Sequence, residues 1–268
     1  MAPLKGKHVL LTGGSRGVGL FIAKALAKQG AQIALSARSE EGLRNAAESL
    51  NEFGVQTIVV PVDLAQESQR HELINTVLKK FGTIDILVNN AGLETEGAFL
   101  SLSWEMIRET IEVNFVAPMA LTYLVLPHML KKKEGHIVNI SSIGAKRGVA
   151  YDATYCGTKA GLAEWTRGLR LELEGKGVHF STIFPGYVTD VGMFAKFGVA
   201  SPWMIGSCAP SQVAQAVVRV IENEQLEVIV NSRPLGPVFA LGELFPSLGD
   251  WLMRRFGVVD FQRKKVSQ

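Results

Sequence analysis

Short runs of apolar, often β-branched residues alternate along the chain with longer segments of helical period. In most of these runs apolar and polar positions do not alternate, which is typical of strands buried on both faces of a parallel sheet. The runs cover residues 8–11, 32–35, 57–60, 84–88, 136–140, 178–183 and 227–230. The pattern therefore predicts a parallel sheet of seven strands.

The segments between these runs are long enough to be the crossover helices that parallel strands require. They cover residues 18–29, 40–53, 66–81, 104–132, 153–174 and 210–224. No linker rich in Pro, Gly or Ser divides the chain, and no internal repeat is visible. This order of elements predicts one doubly wound α/β domain with helices on both faces of the sheet.

The composition is that of a globular protein and argues against several other classes. Of the 268 residues, 47% are hydrophobic and 20% are charged, so the chain is neither disordered nor a coiled coil. The net charge of +3 is small and dispersed, whereas binding to nucleic acid needs a concentrated basic face. Cys156 and Cys208 cannot form a disulfide framework, and no Cys or His pair has metal-site spacing. We therefore expect neither a nucleic-acid partner nor a metal.

Two segments of the sequence are relevant to the cellular location of the protein. The N-terminus runs directly into an apolar strand without a small-residue cleavage site, so we do not interpret it as a signal peptide. The longest apolar stretch, residues 115–130, is interrupted by Pro118 and Pro127 and is shorter than the roughly 20 residues that span a bilayer. We interpret it as a buried or subunit-facing helix and expect a cytoplasmic protein.

A glycine-rich turn follows the first run and leads directly into a predicted helix. It reads Thr12-Gly13-Gly14-Ser15-Arg16-Gly17-Val18-Gly19. Glycines let the backbone approach a pyrophosphate, and the N–H groups at a helix N-terminus face its charge. The turn therefore predicts a dinucleotide site, although its spacing departs from G-x-G-x-x-G because residue 22 is Ile. A tight turn that binds nothing is the alternative.

The same turn also matches the G-x-S-x-G pattern of hydrolase nucleophile elbows, at Gly13, Ser15 and Gly17. A hydrolase needs chain before this turn for its oxyanion-hole loop, and here only one short strand precedes Gly13. The hydrolase interpretation is therefore disfavoured.

The end of the second run indicates which dinucleotide is bound. An acidic residue there would bind the ribose 2′-hydroxyl of NAD, whereas an arginine can hold the 2′-phosphate of NADP. The run ends in Ala37-Arg38 and carries no acid, and Arg16 lies in the glycine turn. We therefore expect NADP(H), with two solvated surface arginines as the alternative.

Tyr155 and Lys159 are four residues apart on a predicted helix and so share a face. A lysine beside a tyrosine hydroxyl would lower its pKa from about 10 and make it a usable acid or base near neutrality. This spacing alone says little, since most such pairs are solvated.

Together with other motifs in the same order, the chain resembles the short-chain dehydrogenase/reductase family over roughly residues 7 to 230. The matching motifs are the glycine turn, Asp63-Leu64, Asn89-Asn90-Ala91-Gly92, Asn114, Ser141-Ser142, Tyr155 with Lys159, and Pro185-Gly186-Tyr187-Val188-Thr189. The resemblance implies a Rossmann-type fold and an NADP(H)-dependent oxidoreductase that interconverts a carbonyl and a secondary alcohol. It also leads us to expect a homodimer or homotetramer.

The resemblance implies a role for each matching residue. Tyr155 would donate or accept the proton, Ser142 rather than Ser141 would bind the substrate oxygen, and Lys159 would bind the nicotinamide ribose and tune Tyr155. Asn114 would help a water connect Lys159 to solvent. The residues implied to contact the cofactor are Thr12, Gly13, Ser15, Arg16, Gly17, Val18, Gly19, Arg38, Asp63, Leu64, Asn90, Ala91, Gly92, Tyr155, Lys159, Pro185, Gly186, Val188 and Thr189.

The alternative function is that of a non-catalytic NADP(H)-binding redox sensor or scaffold. Retention of the full set of catalytic residues argues against it, because a pure binder has no need of an acid. Three neighbouring features have ordinary interpretations: Tyr151 as a pocket wall, Cys156 as an inert packed thiol, and Glu94 with Glu96 as exposed loop carboxylates. The alternative for the two glutamates is contact with the substrate.

The substrate is expected to be a hydrophobic carbonyl or alcohol of the lipid, steroid or acyl type. The segment 187–211 is where family members usually carry their substrate loop, and here it is unusually apolar. Its large apolar residues are Met193, Phe194, Phe197, Trp203 and Met204.

The tail, residues 234–268, is interpreted as an amphipathic extension of the domain formed by residues 1–233. Apolar residues recur at steps of three and four at Val238, Leu241, Phe245, Leu248 and Leu252. Basic residues follow at Arg254, Arg255, Arg263, Lys264 and Lys265. The tail could pack on its own core or a partner subunit, form a lid over the substrate, or contact a membrane surface peripherally. Pro246 should break any continuous helix here.

Overall fold

The computed structural model describes residues 4–192 and 205–267, and a parallel sheet runs through its centre. The strands in these ranges are β1 His8–Thr12, β2 Gln32–Ala37, β3 Thr57–Pro61, β4 Ile86–Asn89, β5 Gly135–Ile140, β6 Val178–Pro185, β7 Tyr187–Val188, β8 Ser207–Cys208 and β9 Glu227–Val230. Seven of them form the main sheet in the order β3-β2-β1-β4-β5-β6-β9, and every pairing is parallel. The predicted doubly wound, Rossmann-type sheet is confirmed.

Helices cover both faces of the sheet. Within the described ranges they are α1 Gly17–Lys28, α2 Glu40–Glu48, α3 Glu67–Phe81, α4 Trp104–Ile111, α5 Ala117–Lys132, α6 Ala153–Glu172, α7 Pro210–Asn223, α8 Gly236–Leu244, α9 Pro246–Arg255 and α10 Val258–Val266. Apolar side chains of α1, α2 and α7 form one buried cluster with the sheet, and those of α3 and α5 form a second on the opposite face. Successive strands are added to one side of β1 from β1 to β3 and to its other side from β4 onward, so a crevice opens at the carboxyl ends of β1 and β4.

The helix predicted over residues 104–132 differs from the structure in its centre. A π-helical segment, Glu112–Val116, separates α4 from α5 and brings Asn114 inward. Among the described residues, this run is long and apolar enough to cross a membrane by length and composition. However, Leu121, Val125 and Met129 are buried against the sheet, as in the core helix of a globular protein.

The tail forms three short helices rather than one amphipathic helix. Pro246 is the first residue of α9, so the helix breaks where that proline predicted. α8 and α9 pack against each other, and Gly249 leaves room for Arg147, because a Cβ on Gly249 would lie 2.8 Å from the guanidinium carbon of Arg147. Several apolar side chains of α8 and α9 still face outward, with Leu244 75% exposed and Trp251 53% exposed.

Candidate active site

A cavity of about 760 Å³ opens at the carboxyl ends of β1, β4, β5 and β6. It gathers most of the residues that the sequence places in a functional site. Those that line it are Gly13, Ser15, Arg16, Gly17, Val18, Gly19, Arg38, Asp63, Leu64, Asn90, Ala91, Gly92, Ser142, Tyr155, Lys159, Pro185, Gly186 and Val188.

Thr12 and Thr189 do not line this cavity. The Thr12 hydroxyl is buried and accepts the backbone N–H groups of Asn90 and Ala91, each at 3.0 Å. It therefore ties the glycine turn to the loop after β4. The Thr189 hydroxyl donates to the Asp190 carboxylate at 2.9 Å. Both residues shape the site through the backbone around them.

The glycine turn forms a cradle into which side chains would not fit. Gly13 and Gly17 have φ angles of 68° and 58°, a left-handed conformation that favours glycine. A Cβ on Gly13 would lie 2.9 Å from the Cα of Ala91, and one on Gly19 would overlap the Gly13 carbonyl oxygen. Because α1 begins at Gly17, the N–H groups of its first turn are available to an anion in the cavity. The cradle fits a pyrophosphate.

The far end of the cavity carries two arginines, Arg16 and Arg38. The Arg38 guanidinium donates to Glu109 at 3.2 Å and keeps 59% of its side chain exposed, so it can also reach a ligand. Ser39 follows it as the N-cap of α2 and accepts the N–H of Gly42 at 3.0 Å. This end is electropositive and fits the 2′-phosphate of NADP(H).

Tyr155, Ser142 and Lys159 meet in the middle of the cavity. The Ser142 hydroxyl hydrogen-bonds the Tyr155 phenol, and it also accepts the N–H of Gly144 at 3.1 Å. The Lys159 ammonium lies 5.7 Å from the centre of the Tyr155 ring and donates to the Ile140 carbonyl at 2.9 Å. Ser141 points elsewhere, since its hydroxyl donates to the Lys159 carbonyl. Ser142 is thus the serine that faces the phenol.

Asn114 is fully buried and does not line the cavity. Its amide nitrogen donates to the Leu93 carbonyl at 2.7 Å and to Thr158 at 3.2 Å, and its oxygen accepts the Leu93 N–H at 2.7 Å. A Cβ on Gly92 would lie 3.3 Å from the Asn114 oxygen and 3.4 Å from the Lys159 nitrogen. Asn114 therefore fixes the loop after β4 beside Lys159, and its amide is already engaged by that loop and by α6.

The protonation of Tyr155 differs from the sequence-based expectation. Burial raises the pKa of Tyr155 well above 10, the nearby Glu94 and Asp152 carboxyls raise it further, and the Ser142 hydrogen bond only partly opposes them. Burial also lowers the pKa of Lys159 to about 8. The expected lowering of the tyrosine pKa by Lys159 is therefore wrong here, because desolvation dominates. Tyr155 holds its proton at neutral pH.

A cluster of buried charges lies beside Tyr155. Glu94, Glu96 and Asp152 bring carboxylate oxygens within 4.8 Å of one another. The Lys265 ammonium of α10 donates to Glu94 at 3.1 Å and also to Glu96. Burial, assisted by the two glutamates, raises the pKa of Asp152 to about 9. The expectation that the glutamates are exposed is wrong, because the tail covers them.

Sequence reasoning missed the role of this cluster and of Arg147. Arg147 also lines the cavity, and its guanidinium donates to the carbonyls of Gly242 and Pro246 at 3.1 and 3.0 Å and to Asp250. It thereby holds the turn between α8 and α9. These partners are about one hundred residues away in sequence, and no local spacing signals them.

The tail supplies an apolar wall to the cavity. The tail side chains that line it include Leu235, Val238, Phe239, Leu252, Met253 and Phe256. The residues predicted to form the substrate loop, Met193, Phe194, Phe197, Trp203 and Met204, lie outside the described residues. The part of the substrate wall that is described is therefore largely aliphatic and aromatic.

Near Tyr155, the sequence predicts that Tyr151 is a pocket wall and that Cys156 is an inert thiol. Tyr151 lines a second, smaller cavity rather than the one that holds Tyr155. Cys156 is buried, and burial raises the pKa of its thiol to about 12, so it stays protonated and unreactive. Neither residue competes with Tyr155 as the acid.

Known proteins resemble this chain along nearly all of its length. A sequence model described as short chain dehydrogenase matches residues 7–199. Ketoacyl reductase HetN from Nostoc sp. is 42% identical over 271 residues, which cover 99% of this chain and 94% of that protein. A putative ketoacyl reductase from Streptomyces coelicolor is 36% identical over 190 residues, covering 70% of this chain and 73% of the relative.

Solved structures agree with the sequence relatives. A variant of actinorhodin polyketide ketoreductase, solved with NADPH, has a TM-score of 0.79 and 31% identity, covering 88% of this chain and 98% of that one. L-sorbose reductase from Gluconobacter frateurii, solved with NADPH and L-sorbose, has a TM-score of 0.78 and 28% identity, covering 87% and 97%. The resemblance seen in the sequence is confirmed, and this chain belongs to the short-chain dehydrogenase family.

Proposed function

We propose that this chain is a carbonyl reductase of that family in which Tyr155, Ser142 and Lys159 are the catalytic residues. The protein is an NADP(H)-dependent oxidoreductase that acts on CH–OH and C=O groups. The observation that carries the proposed assignment is that the phenol, the hydroxyl and the ammonium line one cavity with the glycine cradle.

The chain holds NADP(H) along the length of this cavity. The backbone from Gly13 to Gly19 takes the pyrophosphate, and Arg16 and Arg38 take the 2′-phosphate. Asp63 and Asn90 contact the adenosine side, whereas the segment from Pro185 onward contacts the nicotinamide end. When bound, NADPH supplies the hydride for the reduction of the carbonyl.

The side chains complete the reaction by handling the proton. Hydride addition builds negative charge on the substrate oxygen, so donors aimed at that oxygen stabilise the transition state more than the ground state. Ser142 and Tyr155 are those donors, and Tyr155 gives up its proton to form the alcohol. Lys159 stays close to the phenol and offsets the charge that develops on it. Asn114 acts as a positioning residue because it fixes the loop that faces Lys159.

The substrate that this site favours is a hydrophobic carbonyl compound, such as a ketoacyl chain or another lipid-like ketone. The apolar tail wall supports this choice, as do the ketoacyl names of two relatives. We place the enzyme in the cytoplasm. The basic end of the tail offers a membrane surface fewer charges than its sequence does, since Lys265 is buried among carboxylates.

Substitution of Tyr155 by Phe tests the catalytic assignment. Tyr155→Phe removes the proton donor while keeping the ring, so we expect kcat for carbonyl reduction to fall roughly a hundredfold or more with NADPH binding retained. The measurement is NADPH oxidation at 340 nm over a panel of carbonyl compounds, with cofactor affinity from fluorescence titration.

Tyr123→Phe is the matched control, because Tyr123 is 78% exposed on α5 and does not line the cavity. Wild-type turnover by the Tyr155→Phe enzyme on a verified substrate would show that the acid is misassigned. If the wild-type protein binds NADPH but reduces no carbonyl in the panel, the result would favour a non-catalytic redox sensor or scaffold over a reductase.

A further inference from the structure

The tail reaches the active site through one buried cation, Lys265. Its side chain is 1% exposed, although it lies in α10 between exposed Lys264 and the end of that helix. Its ammonium pairs with Glu94 and Glu96, whose side chains are 14% and 8% exposed. A buried lysine is rare unless it is paired, so this contact fixes the position of α10 closely.

Of the two carboxylates that Lys265 binds, Glu94 belongs to the wall of the cavity that holds Tyr155, and the neighbouring Asp152 does as well. One oxygen of Asp152 is buried without a hydrogen-bond partner. Three carboxyl groups therefore share a small volume next to Tyr155, and the structure shows Lys265 bonded to two of them, Glu94 and Glu96. Without it, two or more of these groups would repel one another in a poorly solvated place.

Other residues of α10 near Lys265 also contact the cavity or residues beside it. Val258 and Gln262 of α10 line the cavity, Phe261 packs edge-on against Tyr187 at 5.7 Å, and Arg263 donates to the Tyr151 hydroxyl at 3.1 Å. Since α10 packs on α9, displacement of α10 also releases the apolar wall formed by Leu252, Met253 and Phe256.

We propose that Lys265 is a positioning residue that, by pairing with Glu94 and Glu96, holds the tail across the substrate half of the cavity and sets its preference for long apolar substrates. This inference rests on the proposed function, because it concerns the substrate side of the same site. Lys265 does not touch the reacting atoms. It acts through the wall that α9 and α10 present to an acyl chain.

Lys265→Met tests this proposal, with Lys264→Met as the matched control on the adjacent exposed position. The substrates are ketoacyl thioesters with short, medium and long chains, assayed with NADPH. For Lys265→Met we expect KM for the long chain to rise about tenfold, which corresponds to loss of roughly one buried apolar side chain. KM for the short chain and NADPH affinity should change little. Lys264→Met should match the wild type throughout.

A second measurement follows the tail itself and needs no substrate. Arg254 and Arg255 are exposed at the end of α9, and trypsin should cut after them several times faster in Lys265→Met than in wild type or Lys264→Met. Mass spectrometry identifies the cleavage sites. Glu96→Gln removes one partner of Lys265 with little change in shape, so it should shift both readouts in the same direction by less, even if Lys265→Met does not fold.

If Glu96 and Lys265 act as a pair, the double variant Glu96→Gln with Lys265→Met should change KM and the cleavage rate by less than the sum of the two single variants. The proposal is overturned if folded Lys265→Met and Glu96→Gln both keep the wild-type chain-length profile and the wild-type cleavage rate. It is also overturned if Lys264→Met shows the same changes. Failure of the wild type to reduce any thioester would refute the proposed substrate class, whereas the cleavage experiment would still decide the role of Lys265.

Discussion

Arg38, which we propose to bind the 2′-phosphate of the cofactor, is also bonded to a neighbouring side chain. Its guanidinium lies 3.2 Å from Glu109, and both side chains are substantially exposed, so this ion pair contributes little to stability. A 2′-phosphate, with its higher charge and several acceptor oxygens, is a stronger partner. Arg38 is therefore available to bind the phosphate that distinguishes NADP(H) from NAD(H).

We expect Arg38→Ala to weaken NADPH binding about tenfold to a hundredfold and NADH binding far less, since a hydrogen bond to a charged group is worth about 1.5–3 kcal/mol. Fluorescence titration of both cofactors measures this. Arg44→Ala is the control, because Arg44 pairs with Glu40 on α2 and does not line the cavity. Equal wild-type affinities for the two cofactors would contradict the role given to Arg38.

The spacing of residues along the sequence predicts where Tyr155 lies but not its pKa. The four-residue interval correctly predicts that Tyr155 and Lys159 share a face of α6. The pKa of Tyr155, however, depends on burial and on Glu94 and Asp152, which approach from other parts of the chain. Such a balance is a property of the folded site, so the sequence could name the candidate acid but not its protonation.

At the scale of elements, the turn from β1 into α1 shows why glycine is required at particular positions. A side chain at residue 19 would overlap the backbone of Gly13 and approach the amide of Asn90 at 2.8 Å. Neither the turn nor the loop after β4 can move away, because the Thr12 hydroxyl binds that loop and Asn90 donates back to the Thr12 carbonyl at 2.9 Å.

Gly19→Ala should therefore deform the cradle, lower the melting temperature and weaken NADPH binding roughly a hundredfold, as expected for an overpacked site with distorted anion contacts. Calorimetry and fluorescence titration are the measurements. Gly168→Ala in α6 is the control, because a Cβ there meets nothing within 4 Å, and alanine should stabilise the helix by up to about 1 kcal/mol. Normal NADPH affinity in Gly19→Ala would refute the close packing described here.

Elements were predicted well where one local signal dominates. Continuous apolar runs identified the strands of the main sheet, although β4 begins at Ile86 rather than at residue 84. Pro246 correctly marked the break in the tail. The π-helical segment around Asn114 has no such signal, since it depends on the hydrogen bonds that its side chain makes to Leu93 and Thr158.

For the whole molecule, the surface raises the question of assembly. Several large apolar side chains on the outer helices are exposed in the isolated chain. On α4, α5 and α6 these are Trp104, Met106, Ile111, Tyr123 and Leu171, and a further set lies on α8 and α9. Exposed apolar surface of this extent is typical of subunit interfaces, so the predicted homodimer or homotetramer remains our expectation.

Light scattering coupled to size exclusion should give a mass of two or four times 29.1 kDa. Tyr123→Glu should shift the mass towards the monomer if α5 forms the interface, since a buried unpaired carboxylate opposes association. Leu244→Glu, on α8, is the comparison that would instead identify the tail as the interface. A monomeric wild type at micromolar concentration would contradict the expected assembly.

The ion pair between Lys265 and the two glutamates also bears on the order of folding. Lys265 follows Glu94 by 171 positions and Glu96 by 169 positions, so the ion pair closes a long loop of the chain. Loops of this kind form late, and during synthesis the sheet strands leave the ribosome well before α10 does. We therefore expect the strands and the glycine turn to fold first, with Glu94 and Glu96 lacking their cation until α10 has been synthesised and packs against them.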